Sequence, residues 1–235
     1  MLQKSNFLFG GFVNFARFFG YCFFASLPFN VGILIFSKDV YFSGFFNPFL
    51  SQFLYLGDVF LILSALFLAL GYLFGQIEKF YVGEKKIFIL LMTFLFTMVL
   101  SLVVSVDFTN SLFYFLRFLE FLVVYFLIVG DVVKLEKLLL CFIAAMSVAS
   151  LIGILQYVFQ SSLGLKFLGE PLINSAMTGV AKFHVLGSDL LRSYGTFPHP
   201  NLFGAYLVLA ILFSVSFVRK EIFSKKALFL AIGLC

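Results

Sequence analysis

LLLCFIAAMSVASLIGILQYVF, residues 138–159, decides the class of this chain. It contains no charged side chain and is long enough for a helix to cross hydrocarbon, which takes about 20 mostly apolar residues. Within lipid a helix satisfies its own backbone hydrogen bonds, which an irregular segment cannot do. Working outward, comparable runs occur at Phe12–Phe36, Leu56–Phe74, Lys86–Val106, Ser111–Val129 and Leu202–Val218, and another begins near Ala227. The pattern predicts an all-α, polytopic transmembrane helix bundle with six complete spans (the 138–159 run is the fifth) and a truncated seventh. A half-length span would leave backbone groups unsatisfied in hydrocarbon, so the sequence is expected to be the N-terminal fragment of a longer protein.

Composition agrees. Hydrophobic residues make up 63% and charged residues 11%, where soluble domains average about half and about a quarter. The net charge of +5 is spread between apolar runs. No basic stripe or basic–aromatic interleave points to nucleic acid. Phe occurs 38 times and Trp is absent, so Tyr must supply any aromatic belt. Cys22, Cys141 and Cys235 all sit in apolar runs without metal or redox spacing and read as small buried hydrophobes. No metal site, P-loop or dinucleotide fingerprint is visible, and no cofactor is expected.

Basic residues report orientation, because cytoplasmic loops carry the excess of Lys and Arg. With a cytoplasmic N-terminus, the inner segments hold Lys4, Lys79, Lys85, Lys86, Lys134, Lys137, Arg219, Lys220, Lys225 and Lys226. The outer segments hold Lys38, Lys166, Lys182 and Arg192. This predicts an inner, cytoplasmic N-terminus and places the one long polar segment, 160–201, outside. That segment retains apolar residues such as Phe167, Leu172 and Val185, which suits a short interfacial helix or a re-entrant element.

Several charged residues fall at or within spans or in the turns beside them. Arg117 and Glu120, three apart in the fourth span, share a helix face and can pair. A charge at mid-bilayer costs roughly 2.5–3.5 kcal/mol, so the pair should face the bundle interior or a wet cavity. It can serve as a cavity wall that contacts a phosphate, or as a structural pair that fixes helix packing. Arg17 is expected to snorkel to the cytoplasmic interface. Asp58 is read as capping the second span, and Asp107 as a solvated turn residue. Pro28 with Asn30 should kink or thin the first span.

The outer segment ends in Gly195-Thr196-Phe197-Pro198-His199-Pro200-Asn201. Two prolines stiffen the turn around His199, and Asn201 is placed to cap the following membrane helix. With Arg192 nearby, imidazole, amide and guanidinium gather where an anionic head group could be held. His199 is a weak candidate for a general base or a hydrogen-bond donor to phosphate. His184 and Asp189 could pair across a turn.

The stretch RSYGTFPHPNLFGAY, 192–206, resembles the O-antigen ligase and O-antigen polymerase family of polytopic bacterial membrane proteins. The family string is an Arg followed by a Gly-Thr-Phe turn and a Pro-Asn that opens a membrane helix. Gln156-Tyr157 at a span end, Ser162-Leu163-Gly164 and Leu168-Gly169-Glu170-Pro171 agree with it, so the specific likeness runs from Gln156 to Tyr206. Asp58 and the Arg117–Glu120 pair add weaker agreement. The resemblance implies an inverting glycosyltransferase in the bacterial plasma (inner) membrane. Its donor would be a glycan on undecaprenyl diphosphate, and an acceptor sugar hydroxyl on a glycan or glycolipid would attack the anomeric carbon. Arg192 would grip the diphosphate with Arg117 as a deeper second cation, and Glu120 and Asn201 would complete the substrate-binding set. Family members carry a second large outer loop with the usual base, which this chain lacks, so the chain alone is expected to be inactive. A transporter or lipid flippase, favoured by the intramembrane pair, and an assembly subunit without chemistry are the competing readings.

Overall fold

The computed structural model describes residues 10–37, 41–42, 45–46, 51–77, 81–185 and 187–219. The chain is mostly helical. Its helices are α1 (Gly11–Ser26), α2 (Leu56–Leu73), α3 (Lys85–Val103), α4 (Phe108–Val129), α5 (Leu135–Phe159) and α6 (Pro200–Arg219). The strands β1 (Gly32–Ser37) to β4 (Ser51–Tyr55) lie between α1 and α2, with β2 at Tyr41–Phe42 and β3 at Phe45–Phe46. Strands β5 (Lys182–Val185) and β6 (Ser188–Leu191) lie between α5 and α6. The pairings β1–β4, β2–β3 and β5–β6 make three two-stranded sheets. The class is therefore not purely α.

Helices α2 to α6 are each long and apolar enough to cross a membrane, which marks a membrane protein. The apolar run at 12–36 does not make a comparable helix. Helix α1 has 16 residues, about 24 Å at 1.5 Å per residue, against a hydrocarbon core of about 30 Å. It stops at Ser26 because Pro28 bars the residue before it from helical backbone and offers no amide to continue the ladder. The apolar residues that follow enter β1 instead. The seventh run from Ala227 lies outside the described residues, as do Lys4, Lys38, Lys79, Lys220, Lys225 and Lys226 of the charge alternation.

Two compact units divide the chain: Met1–Phe23 with Ile33–Leu135, and Phe24–Gly32 with Glu136–Cys235. In the first, α1 and α2 run antiparallel, as their rings record. Phe12 stacks on Phe74 at 5.2 Å and Phe19 on Phe60 at 6.3 Å, while Phe67 meets Phe12, Phe15 and Phe19. Ser64 on α2 donates to the Ala16 carbonyl at 2.7 Å. Helix α4 packs against α2 and α3 and is capped by Asp107, whose carboxylate accepts from the Asn110 amide at 3.0 Å. Asp107 is thus a helix cap. Arg17 donates through Nε to the Val132 carbonyl at 2.7 Å, in the turn after α4. It therefore ties α1 to that turn, where carbonyls lack helical partners. Helix α3 packs on α4, yet none of its residues is fully buried among the described residues.

In the second unit α5 is the central element. Phe142, Met146 and Ala149 pack with Phe197, Phe203 and Ala210 around α6. Gly153 lets α6 approach, since a Cβ there would lie 2.8 Å from the Phe203 ring. The polar segment 160–201 forms one 3-10 turn at Lys166–Leu168 and the β5–β6 hairpin. Among its described residues no longer interfacial helix forms.

Candidate functional site

The Arg192–Asn201 turn belongs to the second unit and is built on Gln156. This fully buried side chain lies near the C-terminal end of α5. Its Oε1 accepts from the Tyr194 amide at 3.0 Å and the Gly195 amide at 2.8 Å. Its Nε2 donates to the Gly195 carbonyl at 2.9 Å and to Glu170 Oε1 at 2.9 Å. Glu170 is itself buried and also accepts from the amides of Leu163 and Leu165, each at 2.6 Å. A buried carboxylate needs such donors, because an unsatisfied one is costly. Together the two side chains lock both ends of the polar segment to α5. Gly195 has φ +59°, and a Cβ there would lie 3.0 Å from the Ala149 carbonyl oxygen, so glycine serves both the left-handed backbone and the close approach. Thr196, fully buried, donates its hydroxyl to the Pro28 carbonyl.

On this braced base sit the groups that face outward. Arg192 Nη2 donates to Asn201 Oδ1 at 2.9 Å. Among the described residues no carboxylate pairs with Arg192, so its charge meets only a neutral amide. Helix α6 opens at Pro200, the first-turn position that tolerates a missing amide. His199 is therefore the capping residue, and Asn201 does not cap. The His199 Nδ1 accepts from the Asn201 amide at 3.1 Å, and the His199 carbonyl accepts from Phe203 at 3.2 Å. The His199 ring is exposed and lies 6.3 Å from the Tyr194 ring, edge to face. The structure thus joins Arg192, Asn201 and His199 into one chain of hydrogen bonds.

Arg117 and Glu120 lie in the first unit, in a different electrostatic setting. Arg117 Nη1 bonds Glu120 Oε2 at 3.0 Å and also pairs with Asp58 Oδ1. Its Nη2 donates to the Phe53 carbonyl, and its guanidinium lies 5.6 Å from the Tyr55 ring centroid and 5.0 Å from that of Phe113. Asp58 has two tasks: its Oδ2 accepts from the Tyr55 amide at 2.6 Å and so closes the start of α2. Formal charges sum to minus one, with one guanidinium against two carboxylates. Arg117 and Glu120 line a cavity of about 370 Å³ whose other walls are apolar, Leu61, Ile62, Phe113 and Val123 among them.

His184 and Asp189 pair across the hairpin turn at 2.9 Å and are exposed. The hydrogen bond from His184 holds the Asp189 carboxyl below its ordinary range, with further help from the charges of His184 and Lys182. Among the described residues no group of three or more His, Cys, Asp and Glu side chains could hold a metal ion.

Three residues carry more of this architecture than sequence reasoning gave them: Gln156, Glu170 and Asp58. Gln156 and Glu170 entered only as parts of a family-like string, and Asp58 as a cap and a weaker point of that likeness. One signal was available. A Gln inside an apolar helix and acidic groups beside an intramembrane arginine each demand partners. No family model, curated protein or solved structure matches this chain.

Proposed function

We propose that this chain belongs to a membrane glycosyltransferase of the O-antigen ligase or polymerase type. It would work in the bacterial plasma membrane with its N-terminus in the cytoplasm and segment 160–201 outside. The donor is a glycan carried on undecaprenyl diphosphate. An acceptor sugar hydroxyl on a glycan or glycolipid displaces the lipid diphosphate with inversion, in the synthesis of cell-surface polysaccharide such as lipopolysaccharide. One observation carries this reading: among the described residues no carboxylate pairs with Arg192, whose guanidinium stands on a turn braced by Gln156 and Glu170. Guanidinium is the side chain best suited to bidentate recognition of phosphate. A preorganised cation also stabilises charge that develops on a leaving diphosphate. Arg117, flanked by Asp58 and Glu120, is assigned to packing, since an anion entering there would meet two carboxylates. The test is glycan transfer from a lipid-diphosphate donor in membranes that carry the full-length protein. The Arg192→Ala variant should lose at least a hundredfold in transfer, and undiminished transfer removes Arg192 from the mechanism.

The cavity beside Arg117 and Glu120 supports a second reading, a transporter or lipid flippase, because ionisable residues within spans often mark substrate pathways. Proteoliposomes that move substrate without forming any glycan product, and lose that flux in Glu120→Gln, would favour it.

A further inference from the structure

We infer that His199 is a hydrogen-bond donor to the bound diphosphate through Nε2, and not the base that takes the acceptor's proton; this rests on the anion-binding reading of the Arg192 turn. The Asn201 amide can only donate, and it points at His199 Nδ1 at 3.1 Å. Nδ1 therefore presents its lone pair, and the proton of the neutral ring resides on Nε2. The nitrogen that could accept a proton is already used inside the cap. The nitrogen left over on the exposed ring carries a hydrogen. Such a ring donates outward, and the Tyr194 ring lies beside it at 6.3 Å, inclined by 61°.

The backbone cannot serve in its place. Pro200 has no amide hydrogen, the Asn201 amide is bound to the ring, and the amides of Leu202 and Phe203 both reach the His199 carbonyl, at 3.1 and 3.2 Å. The start of α6 thus has no free amide among its first residues to offer an anion. Donation falls to side chains, and Asn201 ties two of them together. Its Oδ1 receives Arg192, and its amide fixes the His199 ring. The result is one charged and one neutral donor on a shared scaffold, suited to a diphosphate, which presents several acceptor oxygens at once.

The experiment uses the full chain in detergent with inorganic pyrophosphate as the probe. The chain has two histidines, so ¹⁵N-imidazole spectra are assigned with His184→Gln. At neutral pH His199 should show an unprotonated Nδ1 and a protonated Nε2, and pyrophosphate should shift the Nε2–H resonance. His199→Ser keeps a capping oxygen and removes the ring. It should weaken pyrophosphate binding about tenfold, the worth of one hydrogen bond to a charged group, while Arg192→Ala weakens it further. A proton on Nδ1, or an Nε2–H resonance unmoved by pyrophosphate, overturns the donor role. So does a His199→Ser variant that binds pyrophosphate like the parent. If Arg192→Ala also binds like the parent, the anion-binding reading itself has failed. If only His199→Ser does, the fault lies with this inference alone.

Discussion

Arg117 and Arg192 carry the same guanidinium, yet the residues around them give opposite results. Arg117 is held by Asp58, Glu120, a carbonyl and two aromatic faces. Arg192 is held by one neutral amide on a turn whose own polar atoms are satisfied from beneath by Gln156. The first arrangement fixes helices, because removing any member strands a charge. The second keeps a charge in place without neutralising it. An arginine at a membrane helix therefore declares its task through its counter-charges, and proximity to a span does not reveal it.

The largest effect should come from cutting the brace under Arg192. Gln156→Leu strands two buried amides and removes a donor from buried Glu170. Each stranded group costs about 1–3 kcal/mol, so thermal unfolding in detergent should show several kcal/mol lost. An unchanged midpoint would mean that the brace is dispensable. Next comes Arg117→Leu, which leaves Asp58 and Glu120 facing each other. Breaking a buried pair costs up to about 3–5 kcal/mol, and partial exposure should place this case below that range. The double variant Arg117→Leu/Asp58→Asn should recover part of the loss; no recovery would deny that charge balance holds α2 to α4.

Arg192→Leu sharpens the comparison from the other side. With one exposed partner it should change stability by no more than about 0.5 kcal/mol, while it weakens pyrophosphate binding. A large fall in stability would make the two arginines alike after all. Smallest is the acid response of the β5–β6 hairpin. The folded Asp189 carboxyl sits below its unfolded value, so its pairing supports the hairpin above the ordinary carboxylate range. That support is lost as pH falls through the lowered value. Protection of the hairpin amides from hydrogen exchange, taken relative to the intrinsic rate at each pH, should fall in acid, and Asp189→Asn should remove that fall.

Much of the helical layout is readable from residue order. The last five complete apolar runs became α2 to α6 with ends shifted by a few residues, because a run of this length and polarity has few options in lipid. The first run misled in its length: Pro28 was expected to kink or thin the span, and the helix ends before it, at Ser26. The strands between α1 and α2 were not foreseen, because Phe-rich apolar segments suit a strand or a helix equally well. The pairing of His184 with Asp189 was visible as one option across a turn, and the structure selects it. At the turn itself the sequence assigned the cap to Asn201. Pro200 at the first helical position moves that duty to His199.

Residue order by itself determined that this chain lives among lipids, where its long apolar stretches lie, and that Arg192 and the Gly195–Asn201 turn are the polar features to watch. Only the tertiary structure decided which arginine is neutralised, which nitrogen of His199 is engaged, and that Gln156 and Glu170 support the turn. The reason is physical. Hydrophobicity accumulates along a local window, whereas a hydrogen bond or an ion pair depends on a distance of about 3 Å between atoms far apart in the chain.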